Sequence, residues 1–273
     1  MAKTKSVGHL GTLDPIATGV LPLIVGNVTR LARFYTKADK TYEAVVRFGF
    51  STDTYDRAGK ATSDLREAPG IEAIEIVLQR FIGPQLQMPP QYSAKKVAGR
   101  AAYESARRNI AVELAPVDIE IYELRVDGYC EPDLRLMVRC SGGTYVRSIA
   151  HDLGAALGCG AHLRELRRTR SGDFGIEQAR TLDELQKMAG EGRLDEAALA
   201  AGDLLPEFPA VWVDAVTAGQ IRQGRDFHVS PFRARRNSQF VKAMEGVEGK
   251  ATLLAVGEVA MPNVYHPIVV LVP

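Results

Sequence analysis

The chain has 273 residues, 46% hydrophobic and 25% charged, a balance that fits a soluble globular protein long enough for one large domain or a large one and a small one. No apolar run reaches the roughly 18 residues that span a bilayer, and residues 1–6 are basic with no apolar core behind them, so neither a membrane anchor nor a signal peptide is expected and the expected location is the cytoplasm. Cys130, Cys140 and Cys159 are odd in number and widely spaced, and the five histidines are dispersed, which predicts reduced structural thiols and no metal site.

The net charge of +1 conceals a strong segregation. Residues 1–47 carry seven Lys/Arg against three Asp/Glu, residues 91–108 five against one, and residues 222–242 six against one, whereas residues 181–209 hold seven acids against two bases. Basic segments are often plain solvated surface. Three of them converging on one face form a track for phosphates.

Residues 8–21, GHLGTLDPIATGVL, hold one carboxylate, Asp14, among glycines, small residues and apolar residues. Two readings fit: a turn initiated by Asp-Pro, or a carboxylate fixed at the floor of a cleft, with Pro15 setting the backbone and glycines letting a substrate approach. Val28, Leu31, Ala32 and Tyr35 recur at helical spacing with Arg30 and Arg33 between them, predicting a short amphipathic helix. Residues 41–49 alternate, with Tyr42, Ala44, Val46 and Phe48 on one side, as a strand does. A polar loop at 51–59 follows, then a helix through Ile71, Ile74, Val77, Leu78 and Phe81, closed by Gly83.

Residues 88–100 are too rich in proline and base for a regular element and predict an exposed loop, leading into a helix at 101–108. Strands are expected at 118–127 and 134–140, then a turn at 141–144 and a helix with the apolar face Val146, Ile149, Ala150, Leu153 and Leu157, capped by Thr144. Tyr145 and Arg147 then fall at the positive end of that helix, a poor site for an Arg unless a carboxylate faces it. Residues 159–171 set Leu163 and Leu166 on one side and Arg164, Arg167, Arg168 and Arg170 around them, as a surface helix or strand with a solvated charged face would. Acidic helices are expected at 182–189 and 195–205. The prolines of residues 205–209 mark a linker, and a short helix at 215–222 with strands near 239, 253–259 and 268–272 follow it.

Residues 8–21 match GHxGxLDPxAxGxL, a signature of the TruB family of tRNA pseudouridine synthases, at every defined position, and residues 89–107 resemble a second, PPxYSAxKxxGxxAYExAR. Together with SGGTYVR at 141–147 and GCGAHLR at 158–164, the resemblance covers most of the chain from Gly8 to Arg170. It implies an α+β pseudouridine-synthase fold, with a mixed, largely antiparallel sheet flanked by helices over residues 1–205, and a small PUA-like RNA-binding β-barrel over 210–273. The implied activity is conversion of the uridine at position 55, in the TΨC loop of tRNA, to pseudouridine by base flipping, with no cofactor, no metal, no membrane and no obligatory protein partner.

Residue by residue, the resemblance makes Asp14 the catalytic carboxylate and Arg147 the cation that holds it ionised and oriented. It makes Tyr42 the ring that stacks on the flipped uracil beside carbon 5. His9 becomes the residue that helps displace the base, Arg30 and Lys95 basic contacts to RNA, Leu166 an apolar wall and Tyr145 a lining of the pocket. Family members carry a strand and helix with a DKPxGxTS-like motif ahead of the signature, where this sequence has seven residues. The resemblance therefore implies either a stand-alone tRNA pseudouridine synthase or, lacking that segment, a tRNA-binding or refolding protein with impaired turnover. The guide-RNA-dependent branch of the superfamily is disfavoured by the GxxAYExAR loop and the short C-terminal domain.

Overall fold

The computed structural model describes residues 6–93, 96–97, 100–101, 114–230, 238–246 and 251–271. It divides into two compact units interleaved in sequence: residues 11–21 with 37–179, and residues 1–10 with 22–36 and 180–273.

The larger unit is built on a seven-stranded sheet. Its strands are β1 (Ala17–Gly19), β2 (Lys40–Phe48), β3 (Gly83–Gln87), β4 (Val117–Cys130), β5 (Asp133–Cys140), β6 (Ala161–Ser171) and β7 (Phe174–Gly175), in the order β7-β6-β2-β5-β4-β3 with β1 pairing parallel to β6. All other pairings are antiparallel. Alternation puts one face of each strand inward, so Tyr42, Ala44, Val46 and Phe48 of β2 share a core with Leu134, Leu136, Val138 and Cys140 of β5 and with Leu163 and Leu166 of β6. Helix α1 (Ile71–Leu78) covers this face with Ile74, Val77 and Leu78, and α2 (Val146–Ala156) with Val146, Ile149, Ala150 and Leu153. At about 25 cal/mol per Å² of apolar surface buried, these side chains are the main source of the unit's stability.

In the smaller unit a five-stranded sheet runs Ala210–Trp212, Phe240–Glu245, Thr252–Met261, Val264–Val270, Phe227–His228, with the helix Ala215–Arg222 contributing Ala218 and Ile221 to its core. This half-barrel fits a PUA-like domain, and the whole is the expected mixed α+β fold. Residues 205–209, expected to be a linker, are tied into this unit. The Tyr35 hydroxyl accepts the Leu205 N–H at 2.9 Å, and Phe34, Phe208 and Phe240 form a cluster of rings 5.1–5.5 Å apart. The units part between Ala179 and Arg180.

Several local expectations need correction. The helix expected at 195–205 is two short 3-10 turns, Leu194–Ala197 and Ala201–Asp203, because its alanines and glycine present no continuous apolar stripe to bury. Strand β3 occupies residues that showed no alternating pattern, and Pro84 is tolerated there because β3 is an edge strand. The N-cap position of α2 is Tyr145, not Thr144, and no side chain caps it. Residues 161–171 form strand β6, the strand alternative of that expectation, with Arg167 and Arg170 exposed as expected but Arg168 buried, and the strand lies inside the sheet, not at its edge. Ala101 belongs to a short antiparallel pairing, Lys96–Val97 with Arg100–Ala101; the rest of the helix expected at 101–108 lies outside the described residues. No described helix is long and apolar enough to cross a membrane.

Candidate active site

Asp14 opens a turn, Asp14-Pro15-Ile16-Ala17, closed by the Ala17 N–H donating to the Asp14 carbonyl at 2.9 Å. Pro15 stands at the second position, where its fixed φ suits the turn. The turn reading of this stretch holds: the chain turns at Asp14, and immediately afterwards it is pinned to the central sheet, with Ala17, Thr18 and Gly19 in register against Leu166, Arg167 and Arg168. Gly19 is required there. Its φ is +99°, and a Cβ would sit 2.1 Å from the Arg168 carbonyl oxygen.

Arg147 reaches Asp14 from the first turn of α2. Its Nε donates to one carboxylate oxygen at 2.9 Å and its Nη2 to the other at 2.7 Å, the parallel two-bond geometry that a planar guanidinium makes and an ammonium cannot. The guanidinium is buried, at 6% side-chain exposure, while Asp14 keeps 28%. Its remaining N–H groups go to the Thr54 carbonyl at 3.3 Å and the Tyr92 carbonyl at 3.1 Å, and Asp56 Oδ2 stands 3.9 Å from Nη1. Asp56 is itself buried and accepts from the Thr54 hydroxyl at 2.7 Å and the Ala58 N–H at 2.9 Å. One buried cation is thereby held between two carboxylates, of which Asp14 has access to solvent.

The start of α2 is fixed by Gln87 at the end of β3. Its amide oxygen accepts the Tyr145 N–H at 2.8 Å and its amide nitrogen donates to the Tyr145 carbonyl at 3.1 Å. Gln87 is 3% exposed, so this clamp is a buried one and stands in for the absent N-cap side chain. Ser148 adds a bond from its hydroxyl to the Met88 carbonyl at 2.8 Å.

Tyr42 lies on the inward face of β2, directly across from Arg168 of β6. Burial pushes its phenol up to about 12; the nearby Cys140 thiol acts in the same direction and the Arg168 guanidinium against it. It therefore carries its proton throughout the neutral range. Leu166, across from Ala44, is buried beside it in the same core, and the half-buried Tyr145 has its phenol raised mainly by burial.

Asp14, Arg147, Tyr42, Tyr145 and Leu166 all belong to the larger unit. His9 and Arg30 belong to the smaller one: His9 is exposed opposite Leu23 in the ribbon Val7–His9/Leu23–Val25, and Arg30 is exposed and donates to the Val270 carbonyl at 2.8 Å. Lys95 lies outside the described residues. Sequence reasoning missed Asp56, Gln87 and Arg168. Asp56 carried a signal, an acid in a polar loop rich in Asp and Thr, while Gln87 carried none. Among the described residues no group of three or more His, Cys, Asp or Glu is placed to hold a metal ion.

Residues 1–146 match the family model for the N-terminal domain of TruB family pseudouridylate synthases, and residues 147–205 match the tRNA pseudouridylate synthase B C-terminal domain. The chain is 57% identical to the tRNA pseudouridine synthase B of Solibacter usitatus over 272 residues, covering 99% of this chain and 92% of that protein. With the protein of the same name from Aromatoleum aromaticum it shares 45% over 219 residues, 80% of this chain and 70% of that one. Among solved structures it superposes on a chain of an H/ACA ribonucleoprotein bound to a substrate RNA containing 2′-deoxyuridine, with a TM-score of 0.72 at 25% identity, covering 99% of this chain and 77% of that one. A chain of the Cbf5-Nop10-Gar1 complex gives the same score at 26% identity, covering 99% and 78%.

Proposed function

The chain belongs to the TruB family of pseudouridylate synthases, and from that premise we propose that it isomerises the uridine at position 55, in the TΨC loop of tRNA, to pseudouridine, with Asp14 as its catalytic carboxylate and with no cofactor. The observation that carries this reading is the bidentate pair of a buried Arg147 with a partly exposed Asp14. A carboxylate locked in one orientation at low conformational cost, with a free edge, is what a reaction at a sugar–base junction requires.

In that reaction the bond from N1 of uracil to C1′ breaks, the base turns, and a bond from C5 to C1′ forms. Carbon 5 gives up its proton and N1 gains one, so nothing is oxidised or reduced. Reaching the junction means taking the nucleotide out of its stack, at a cost of a few kcal/mol that contacts to the RNA backbone offset. The basic segments supply such contacts, Arg30 and Lys95 among them, and His9 helps to displace the base. Leu166 and Tyr145 enclose the flipped uracil and Tyr42 stacks on it beside C5. Since Tyr42 holds its proton to about pH 12, it takes the C5 proton only by passing its own on. The protein then works where tRNA is matured, in the cytoplasm, and needs no protein partner.

The test is incubation of the purified protein alone with an unmodified tRNA transcript, followed by mapping of pseudouridine. Product confined to position 55 is the expected result. Tight binding without product would leave a tRNA-binding protein in place of the enzyme.

A further inference from the structure

Among the described residues Arg168 is the largest side chain that is fully buried, at 1% exposure. Taking a guanidinium out of water costs several kcal/mol unless every donor finds a partner. Here the partners are backbone carbonyls from both ends of one loop. Nη2 donates to Gly11 at 2.9 Å and Nη1 to Thr12 at 3.4 Å, ahead of Asp14, while Nε donates to Val20 at 2.8 Å, behind it. The Val20 N–H returns a bond to the Arg168 carbonyl at 2.8 Å. One side chain thus bonds the backbone of this loop on both sides of Asp14.

Tyr42 is the cross-strand neighbour of Arg168, and the charge of the guanidinium acts on its phenol against the effect of burial. Arg168 thus bonds the backbone that supports the carboxylate from a strand position directly across from Tyr42. We propose that Arg168 is a positioning residue for the reaction: it ties together both ends of the loop that carries Asp14 and sets that loop against Tyr42, fixing the carboxylate relative to the phenol. The proposal rests on the roles given above to Asp14 and Tyr42. Lysine in its place would keep the charge but, as a single ammonium on a flexible stem, would not span carbonyls on both sides of the loop. A misplacement of about 1 Å is enough to cost on the order of a hundredfold in rate.

The experiment compares Arg168→Lys and Arg168→Gln with the parent protein for kcat, KM, tRNA affinity and amide hydrogen exchange. Expected are a fall in kcat of at least tenfold for Lys and more for Gln, with KM and Kd within threefold, and faster exchange confined to residues 11–21. A kcat within threefold of the parent in either variant, or unchanged exchange at residues 11–21, would overturn the proposal; so would equal losses in kcat and tRNA affinity. If Arg168→Gln does not fold, Arg168→Lys decides by the same criteria. A parent protein that binds tRNA yet forms no pseudouridine sinks the functional reading alone, and exchange at residues 11–21 still decides whether Arg168 ties the loop.

Discussion

Asp14 and Arg147 stand 133 positions apart in the chain and meet through two parallel hydrogen bonds of 2.9 and 2.7 Å. The pairing joins the turn ahead of β1 to the first turn of α2, so the carboxylate is oriented by a helix that is itself packed through Ile149, Ala150 and Leu153 into the core of the sheet. An Arg at a helix N-terminus is electrostatically unfavourable by itself. The two carboxylates facing it, Asp14 and Asp56, supply the compensation.

Arg147→Lys keeps one charge and loses the planar fork, so the single-turnover rate should fall by more than tenfold with tRNA affinity little changed. Arg147→Met leaves the buried Asp56 facing no cation and should cost about 3–5 kcal/mol in urea unfolding, as removal of one member of a buried pair does. Free substitution by Lys would show that the two-bond geometry is dispensable.

Gln87 offers a test that leaves every charge in place. Gln87→Leu deprives the Tyr145 N–H of its buried partner, at a cost of about 1–3 kcal/mol, whereas the Tyr145 carbonyl keeps the Ser148 and Ile149 N–H groups. The urea midpoint should drop accordingly. Activity should fall with it, because Arg147 is two residues further along the same turn.

Gly19→Ala places a methyl group 2.1 Å from the Arg168 carbonyl at a φ of +99°. The parallel pairing of β1 with β6 has to open to admit it. Melting temperature and product formation should both drop sharply, and a variant as stable as the parent would mean that β1 is not held as described.

Tyr42 gives a pH signature. An unfolded tyrosine ionises near 10, whereas Tyr42 holds its proton to about 12. Between those values the unfolded state has lost a proton that the folded state keeps, so this contribution to stability is fully present below about pH 10 and lost as pH rises through 12. Tyr42→Phe should therefore make the alkaline fall in urea midpoint shallower over that range, and should abolish product while tRNA affinity stays within about tenfold, roughly 1.4 kcal/mol.

The parts of the fold that could be read from the sequence are those with one dominant period. Strand β2 shows strict alternation and α2 a clean apolar face, and both form where expected, β2 one residue early. Arg168 was not legible: four arginines around two leucines look like a solvated face, and alternation counted from Leu163 points Arg168 outward, whereas the register shift between Leu163 and Glu165 turns Leu166 and Arg168 inward. Its partners are carbonyls, which no residue type announces. Gln87 was hidden for the same reason, since a side chain that serves another segment's backbone leaves no mark in its own. Asp14 was legible through its signature and Arg147 through the electrostatic oddity of its position, two independent signals converging on one contact.

The assignment of the chemistry to Asp14 is measured most directly by single-turnover conversion of an unmodified tRNA transcript by Asp14→Asn, with tRNA affinity measured on the same preparation. Asparagine keeps the size of the side chain and removes its charge. Loss of all product with affinity within about tenfold of the parent is predicted; conversion at the parent's rate would contradict the assignment of the chemistry to Asp14.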